Sequence, residues 1–326
     1  MPDFVPVDAL RTQCNDALAA LVDPDRTPQV LYAPIRYVLQ GGGKRVRPVL
    51  VQLVAQAYGA TAQAARPVAL AAEVFHNFTL VHDDIMDQAE ARRGRPTVHV
   101  EWDESTAILT GDWLMGCTTR LLCESDAPTE ALLDVYHPTM DALCEGQALD
   151  TDFEIRDTVS VDDYMRMIDG KTGALLAACM AWGGVVGGAS ASDQAQLHDA
   201  GMAAGRAFQI QDDLLDVIAD HEDWGKAIGG DLQVGKKTFV TLTALERAEG
   251  DTKAWLRRTL FAGGGCPPDQ IEAVQTTMRD LGVFEVARNA VARHTESAHA
   301  HLDVLPDGPA REAVLALLDR LQRRSY

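Results

Sequence analysis

The residues of this sequence best suited to chemistry are aspartates that occur in two copies of one pattern, DDxxD. The first copy reads DDIMD and the second DDLLD, and together they contain Asp83, Asp84, Asp87, Asp212, Asp213 and Asp216. Residues four apart lie on one face of a helix, about 6 Å apart along its axis, so each copy predicts carboxylates that project together. Oxygen ligands without histidine or cysteine suit a hard cation, and Mg²⁺ is the first choice. Because Mg²⁺ takes few carboxylates and also binds phosphate oxygens, the motifs predict a metal site that a phosphorylated ligand completes.

A single DDxxD has an ordinary explanation as a solvated helix face or a helix cap. Here both copies follow strongly apolar residues, Phe78 and Val81 before the first and Phe208 and Ile210 before the second. Each helix is therefore predicted to be buried just before its carboxylates. Carboxylates gathered at the ends of buried helices repel one another unless cations neutralise them. Two copies in matching contexts favour the metal site over the solvated face.

Basic residues stand at selected places in a chain that is otherwise acidic. Two groups follow the aspartate motifs: Arg92, Arg93 and Arg95 after the first, and Lys226, Lys236 and Lys237 after the second. Two more follow glycines: Lys44, Arg45 and Arg47 in GGGKRVRP, and Lys171, beside Thr172, in GKTGALL. Alone, each is typical of surface charge. Beside the carboxylates they predict a ligand with two phosphates, bridged to the aspartates by Mg²⁺ and held elsewhere by arginine and lysine. The turn GGGKR is not a nucleotide P-loop, because it lacks the GxxxxGK[ST] spacing and no strand precedes it.

The elements that must position these side chains are helices. Apolar residues recur at helical spacing, and no alternating run between hairpin turns predicts a sheet. The predicted helices are 7–21, 28–39, 46–58, 64–87, 103–123, 129–148, 161–187, 191–217, 236–248, 251–261, 268–280, 284–303 and 308–323. Pro138 is predicted to kink its helix. The apolar run 174–189 is too short and too rich in glycine for a membrane span, so a buried helix is predicted there.

Length and composition agree with one large helical domain. No low-complexity linker divides the 326 residues, so 1–326 is predicted to be a single domain. A net charge of −19 argues against a nucleic-acid partner and against a polybasic membrane anchor. Six cysteines without a CxxC pair are typical of buried, reduced thiols in a cytoplasmic protein. The N-terminus has no basic region followed by an apolar core, so neither a signal peptide nor a transmembrane segment is expected.

These motifs resemble those of the polyprenyl synthetase family, the trans-isoprenyl diphosphate synthases, and in particular the short-chain farnesyl and geranylgeranyl type. The matching stretches run in family order between residues 41 and 240, and they are GGGKRVRP, EVFHNFTLVHDDIMDQAEARRGRPTVH, LTGDWL, CEGQALD, MIDGKTGALL and FQIQDDLLDVIADHEDWGKAIGGDLQVGKKT. The tail after Thr238 matches only as generic helices. The resemblance implies an all-α, isoprenoid synthase-type bundle of about 10–13 helices around a deep central cavity, assembled as a homodimer.

The resemblance also implies a reaction and a role for each matched residue. Isopentenyl diphosphate condenses with an allylic diphosphate (dimethylallyl, geranyl or farnesyl), and pyrophosphate leaves. Three Mg²⁺ on the allylic diphosphate are expected to bind Asp83, Asp87 and Asp212, with support, directly or through water, from Asp84, Asp213 and Asp216. Contacts to the allylic diphosphate are expected from Arg92, Lys171 and Lys226, with Lys236 a weaker candidate.

The same resemblance assigns a second set of residues. Isopentenyl diphosphate is expected to contact Lys44, Arg47, His76 and Arg93. The allylic cation is expected beside the side chains of Thr172 and Gln209 and the backbone carbonyl near Lys171. Taken without the resemblance, His76 is typical of a hydrogen-bonded core histidine.

Product length is predicted from the helix that leads into the first motif. Phe78 stands five positions before Asp83, about 7.5 Å along the axis, with Phe75 about a turn further and the small Thr79 beside it. In the family, a bulky aromatic at the fifth position blocks long chains, and paired aromatics at the fourth and fifth favour C15. Only the fifth is aromatic here, so a product of C15 to C20 is predicted, with geranylgeranyl diphosphate favoured over farnesyl diphosphate. The alternative is that Phe78 packs in the core and the floor lies on another helix.

Two other classes of protein share part of this pattern. A class I terpene cyclase also uses DDxxD and Mg²⁺, but its second motif usually contains asparagine and serine, and it needs no second diphosphate site. A non-catalytic subunit of a heteromeric synthase typically loses aspartates, whereas this chain keeps both motifs complete. At the C-terminus, a solvated basic tail is favoured over closure of Arg323 or Arg324 across the site.

Overall fold

The fold is all-α in the part of the chain that the computed structural model describes, residues 3–218, 229–262 and 264–323. The helices of the first half are α1 (Val7–Ala20), α2 (Gln29–Leu39), α3 (Val46–Ala57), α4 (Ala62–Met86), α5 (Val98–Glu101), α6 (Glu104–Cys123), α7 (Thr129–Ile155) and α8 (Val161–Ile168). Those of the second half are α9 (Ala174–Gly187), α10 (Ala191–Ile218), α11 (Gly230–Gln233), α12 (Phe239–Arg247), α13 (Gly250–Phe261), α14 (Ile271–Asp280), α15 (Val283–His301) and α16 (Pro309–Arg323). The helical class predicted from periodicity is confirmed, and most helix ends lie close to their predicted positions.

The chain divides into two compact units. The first comprises Met1–Pro138, Ala178–His198 and Leu302–Leu318. The second comprises Thr139–Ala177, Asp199–His301 and Asp319–Tyr326. The first DDxxD motif lies in the first unit and the second motif in the second unit. A single domain over 1–326 stays a prediction.

Helix α4 is buried along most of its length in the first unit. It begins after Thr61, whose hydroxyl accepts a hydrogen bond from the Ala64 N–H at 3.1 Å and so caps a free helical donor. Helices α3 and α6 pack against it and contribute fully buried leucines, including Leu50 and Leu114. This burial fixes the carboxyl end of α4, which carries the first aspartate motif.

A cluster of buried apolar side chains forms the core of the second unit. Tyr164 on α8, Ile210 on α10 and Phe239 on α12 belong to it. A capping box at Thr238 and Thr241 sets the start of α12, because each side chain bonds the backbone N–H of the other residue. The start of α12 is therefore well defined, which positions the Phe239 N–H beside α10.

A two-stranded antiparallel hairpin follows the first motif and departs from the expectation of no sheet. Its strands are Ala91–Arg92 and Arg95–Pro96. The two loop residues, Arg93 and Gly94, have φ angles of 55° and 73°, as in a type I′ turn, whose twist suits a hairpin. Two residues are too few to show alternation, so hydrophobic patterning could not indicate these strands.

The stretch predicted as one helix over 161–187 contains a π-helical turn, Asp169–Gly173, between α8 and α9. Close contact with α7 shapes this turn. A Cβ on Gly146 would lie 2.3 Å from the Lys171 backbone nitrogen, so only glycine lets the two backbones meet. Turns of this kind are rare and frequently mark functional sites. This one carries Lys171 and Thr172.

Helix α7 is longer than the predicted 129–148, and Pro138 lies inside it. Its additional turns stay helical because Phe153 is buried in the core of the second unit and Leu149 packs against that core. The predicted kink at Pro138 stays a prediction.

The apolar run at 174–189 forms α9, and the prediction of a buried helix is confirmed. In the first unit, Trp182 is fully buried, and its indole N–H donates to the Leu132 carbonyl at 3.0 Å. None of the helices in the described part of the chain combines the length and the apolar content needed to cross a membrane.

Candidate active site

The first aspartate motif lies at the carboxyl end of α4. Asp83 and Asp84 belong to its last turn, and Asp87 follows as the C-cap, its N–H donating to the Asp83 carbonyl at 2.9 Å. The Asp87 backbone is still helical, so the predicted helical spacing of the carboxylates is present. Asp84 is buried, whereas the Asp83 side chain keeps 20% of its exposure. Negative charge is unfavourable at a helix carboxyl end, which makes this cluster dependent on cationic partners.

Arg92 is such a partner. Its Nε lies 2.6 Å from Oδ1 of Asp84, and its Nη2 lies 3.6 Å from Oδ2 of Asp83. Burial raises the pKa of Asp84 above its ordinary value, although the Arg92 guanidinium opposes that shift. The hairpin thus brings Arg92 to the motif, and its role in diphosphate binding stays a prediction.

Arg93 connects the hairpin to the glycine turn at 41–43. Its Nη1 donates to the Gly42 carbonyl. Lys44 follows this turn, and its own carbonyl accepts a hydrogen bond from Arg11 Nε at 3.2 Å. Two residues that were predicted to hold isopentenyl diphosphate, Lys44 and Arg93, are therefore attached to one turn.

Arg47 on α3 and His76 on α4 meet inside the first unit. The Arg47 Nη1 lies 3.2 Å from Nε2 of His76. Burial and the charges of Arg47 and Arg93 hold the pKa of His76 well below its ordinary value, so the neutral ring accepts this hydrogen bond. The Arg47 Nε is buried, and no group among the described residues accepts from it. An anion such as a diphosphate would satisfy that donor.

Arg45, between these ligand candidates, faces the core. Its backbone is left-handed, with φ 51°. Its Nη1 lies 2.5 Å from Oε1 of Glu73, and its other nitrogens donate to the Leu39 carbonyl at 3.1 Å and to Asn15 Oδ1 at 2.9 Å. Arg45 therefore ties the glycine turn to α1, α2 and α4.

Two further basic residues from the sequence pattern also support the fold. The Arg95 guanidinium lies 3.7 Å from the ring centroid of Tyr37 and holds the hairpin against α2. Lys237 donates to the Phe153 carbonyl at the end of α7.

The predicted chain-length residues form an aromatic stack below the first motif. The rings of Phe75 and Phe78 are stacked with centroids 5.8 Å apart, and Phe75 meets Tyr136 of α7 at 5.2 Å. Phe75 is fully buried and Phe78 is 8% exposed. Thr79 turns its hydroxyl back to the His76 carbonyl at 2.8 Å. The stack gives Phe78 a firm support, and Tyr136 was not foreseen because it comes from another helix.

In the second motif, Asp213 of α10 is enclosed by hydrogen-bond donors. Its Oδ1 accepts from Nε2 of Gln209 at 3.1 Å, and its Oδ2 accepts from the Phe239 N–H at 3.0 Å and from the Tyr164 hydroxyl. Asp213 is only 3% exposed. Burial raises its pKa to about 6, although the hydrogen bonds oppose the shift. Both oxygens of this carboxylate are thus engaged by the protein.

The other two aspartates of this motif are placed differently. Asp212 is half-buried on α10. Asp216 is buried, and its Oδ2 accepts from the Asp231 N–H at 2.9 Å. Burial lowers the pKa of Lys236, but the charges of Asp231 and Asp150 outweigh it, so that this pKa lies above its ordinary value. Lys226, predicted to bind the allylic diphosphate, lies outside the described residues.

The π-helical turn presents the remaining predicted residues. Lys171 Nζ lies 2.6 Å from Oδ2 of Asp150. The Thr172 hydroxyl donates to Oε1 of Gln209 at 3.1 Å. The predicted pair Thr172 and Gln209 is thus brought together within the second unit. Asp150, which ends the motif CEGQALD, had no predicted role.

The donor set fits a hard divalent cation in chemical type. Within 3–218, 229–262 and 264–323, no three acidic, histidine or cysteine side chains converge as a ready metal cage. Each motif nevertheless offers carboxylate oxygens at successive helix positions, without nitrogen or sulfur ligands, which suits Mg²⁺ bound partly by substrate phosphates.

An all-helical chain with two DDxxD motifs and nearby basic side chains is typical of isoprenoid synthases. The chain belongs to the polyprenyl synthetase family, whose model matches residues 28–277. It is 36% identical to a geranylgeranyl diphosphate synthase of Methanosarcina mazei over 98% of both chains. It is 40% identical to a short chain isoprenyl diphosphate synthase of Methanothermobacter thermautotrophicus over 93% of both. A crystal structure of a geranylgeranyl pyrophosphate synthase matches 99% of this chain and 100% of its own, with a TM-score of 0.91 and 36% identity. The resemblance seen in the motifs is confirmed.

Proposed function

We propose that this chain is a trans-prenyltransferase that condenses isopentenyl diphosphate head to tail with an allylic diphosphate and releases pyrophosphate. The product is a short all-trans prenyl diphosphate, geranylgeranyl diphosphate, with farnesyl diphosphate or a longer product as the alternative. The observation that carries this proposal is the complete pair of DDxxD motifs in a chain that matches a geranylgeranyl diphosphate synthase over 98% of its length. The relatives carry the names of synthases, which disfavours a terpene cyclase or a non-catalytic subunit.

Divalent metal dependence is a property of the family, and we infer Mg²⁺ as the ion, three per site. We propose that Asp83 and Asp87, at the carboxyl end of α4, and Asp212, on α10, would hold it, because they occupy the positions that the family motifs match. Bound Mg²⁺ would offset the negative charge that develops on the departing pyrophosphate. Asp84 forms an ion pair with Arg92, and Asp216 accepts a hydrogen bond from the Asp231 N–H. We therefore propose that these two aspartates support the metal-binding aspartates.

Arg92 is placed to contact the allylic diphosphate. Its Nε is committed to Asp84, while its Nη2 is 3.6 Å from Asp83, beyond ordinary hydrogen-bond distance. Nη2 can therefore donate to a phosphate oxygen while Nε keeps the guanidinium in place. Lys171, steered by Asp150, and Lys236 add point charges for the same ligand.

Isopentenyl diphosphate would bind at the turn that Lys44, Arg47 and Arg93 share in the first unit. The buried Arg47 Nε, which has no acceptor in the described part of the chain, is the strongest indication of an anion there. His76 stays neutral and takes a hydrogen bond from Arg47, so it orients that guanidinium rather than adding charge.

Ionisation of the allylic C–O bond leaves a carbocation that needs negative dipoles and protection from water. Thr172 and Gln209 would supply side-chain oxygens, and the π-helical turn can present backbone carbonyls near Lys171. The double bond of isopentenyl diphosphate then attacks, and a proton leaves from the adjacent carbon. We infer that the released pyrophosphate takes this proton, because its oxygens carry the negative charge left by ionisation, whereas the depressed pKa of His76 makes that ring a weak base.

The stack of Phe75 and Phe78 supports a short product. Phe78 precedes Asp83 by five residues on α4 and is braced by Phe75, which itself rests on Tyr136. A chain that grows along α4 would meet this rigid aromatic surface. We propose that Phe78 ends elongation at C20, with Phe75 and Thr79 as its neighbours.

The test is a product assay with purified protein, labelled isopentenyl diphosphate and each allylic starter, with Mg²⁺ or with excess EDTA. We expect geranylgeranyl diphosphate with Mg²⁺ and no product with EDTA. A cyclic hydrocarbon would support a cyclase, and inactivity of the protein alone would support a partner-dependent subunit.

Size-exclusion chromatography with light scattering tests the homodimer, which we also propose. Arg324 lies outside the described residues, and of Arg323 only the helical backbone is described.

A further inference from the structure

In its hydrogen bonds with Tyr164, Phe239 and Gln209, the carboxylate of Asp213 is always the acceptor. A carboxylate only accepts, so Gln209 must turn its amide nitrogen toward Asp213 and its amide oxygen away. That oxygen then accepts from the Thr172 hydroxyl at 3.1 Å. With its single proton committed to Gln209, Thr172 can offer only oxygen lone pairs to a ligand. The buried carboxylate of Asp213 therefore fixes the direction of both hydrogen bonds, from Gln209 to Asp213 and from Thr172 to Gln209.

The buried end of this chain is itself held from two sides. The Tyr164 hydroxyl and the Phe239 N–H both donate to Oδ2 of Asp213. Tyr164 is 2% exposed, and burial with the nearby Asp213 charge keeps its pKa well above the ordinary value, so it remains a donor. The Phe239 N–H opens α12, where the helix dipole favours a negative group. Because both of these donors bind Oδ2 of Asp213, its Oδ1 is left to accept from Gln209.

We propose that Asp213 is a positioning residue, anchored by Tyr164, that sets the polarity of Gln209 and Thr172 so that only oxygen lone pairs face the allylic cation. This inference rests on the proposed function and departs from the metal-binding role that the family pattern implied for Asp213. Successive hydrogen bonds polarise one another, so the negative charge of Asp213 strengthens the dipole at Thr172. Tyr164 acts through Asp213 and touches no substrate.

The first test is Tyr164→Phe, which removes the hydroxyl donor and keeps the ring. We expect kcat to fall by about tenfold, less than the roughly 100-fold loss typical of a group in direct contact with developing charge. KM for both diphosphates should stay within about twofold, because no binding group is lost. Tyr32→Phe is the matched control: Tyr32 is 8% exposed in the first unit, outside the proposed site, and kcat should not change.

The second test separates positioning from metal binding. Asp213→Asn places an amide against two donors and lets Gln209 turn over, so kcat should fall further than in Tyr164→Phe. The rise in melting temperature on adding Mg²⁺ and inorganic pyrophosphate should remain as in the wild type for Asp213→Asn. It should be lost in Asp212→Asn. Thr172→Ser should keep most activity, and Thr172→Val should lose it.

The outcomes are distinguishable from those for the reaction itself. An active wild type whose Tyr164→Phe variant is folded and keeps full kcat would overturn the positioning role and leave the prenyltransferase standing. Loss of the Mg²⁺ and pyrophosphate effect in Asp213→Asn would show a metal ligand instead. If Tyr164→Phe does not fold, equal activity of Thr172→Val and wild type would still refute the inference. A wild type that elongates no starter would refute the proposed function together with this inference.

Discussion

Glu73→Gln should weaken the first unit strongly, because it breaks the buried ion pair behind the glycine turn. The side chains of Arg45 and Glu73 keep only 2% and 3% of their exposure. Glutamine preserves the size and can still accept a hydrogen bond, but it leaves the guanidinium charge buried without a counter-charge. Removing one partner of such a pair costs about 3–5 kcal/mol, and we expect the free energy of unfolding to fall by that amount.

A double variant tests the reason for the loss. Arg45→Met should cost about as much as Glu73→Gln, because it leaves the Glu73 carboxylate buried. Arg45→Met/Glu73→Met removes both charges at similar volume, which is often neutral or even stabilising. The double variant should therefore be more stable than either single variant, which requires a coupling energy larger than one single loss, that is, more than about 3–5 kcal/mol.

The assay is urea denaturation followed by circular dichroism, with an exposed ion pair as control. Glu285 and Arg288 lie 3.4 Å apart, with side chains 62% and 55% exposed, so Glu285→Gln should cost less than about 1 kcal/mol. The reasoning fails if Glu73→Gln costs no more than this control. It also fails if the double variant is as unstable as the two single losses combined.

Three further predictions follow from other parts of the molecule. Phe78→Ala should shift the product from C20 to C25 or longer in a chromatographic profile, and an unchanged profile would contradict the floor assignment. Gly146→Ala should cost about 1–3 kcal/mol and lower kcat, because its Cβ would lie 2.3 Å from the Lys171 nitrogen, whereas Gly116→Ala, with open space, should do neither. The pKa of His76 is depressed in the fold, so as pH falls below its ordinary value near 6.5 the unfolded chain takes up the proton first and stability is lost. His76→Gln should remove this acid-side slope, up to about 1.4 kcal/mol per pH unit in urea titrations; equal slopes in both proteins would contradict it.

The helices were predictable because their apolar spacing is long and regular. The buried faces of α4 and α10 also indicated where the aspartates would stand. The hairpin at Arg93 and Gly94 was not, since its strands are two residues long. Nor was the π-helical turn, because its formation depends on Gly146 coming close to the backbone from a different helix.

Residue roles were harder to predict than residue positions. Arg45 was grouped with the other basic residues, yet its partner Glu73 lies 28 positions away on α4, and only folding shows the pair. The motif CEGQALD contained a signal for Asp150, an acidic residue in a matched stretch, but not its bond to Lys171. Asp213 was indistinguishable in sequence from Asp212, and the difference arises from Tyr164 and the start of α12.

Replacement of one aspartate in each motif tests the central claim, that carboxylates of both motifs assist departure of pyrophosphate. Asp83→Asn and Asp212→Asn should each lower kcat by more than the roughly 10–100-fold typical of residues that only support a metal ligand. The exposed Asp134→Asn on α7 should keep full activity, and all three proteins should remain folded by circular dichroism. Wild-type turnover of isopentenyl diphosphate in either folded motif variant would contradict the account.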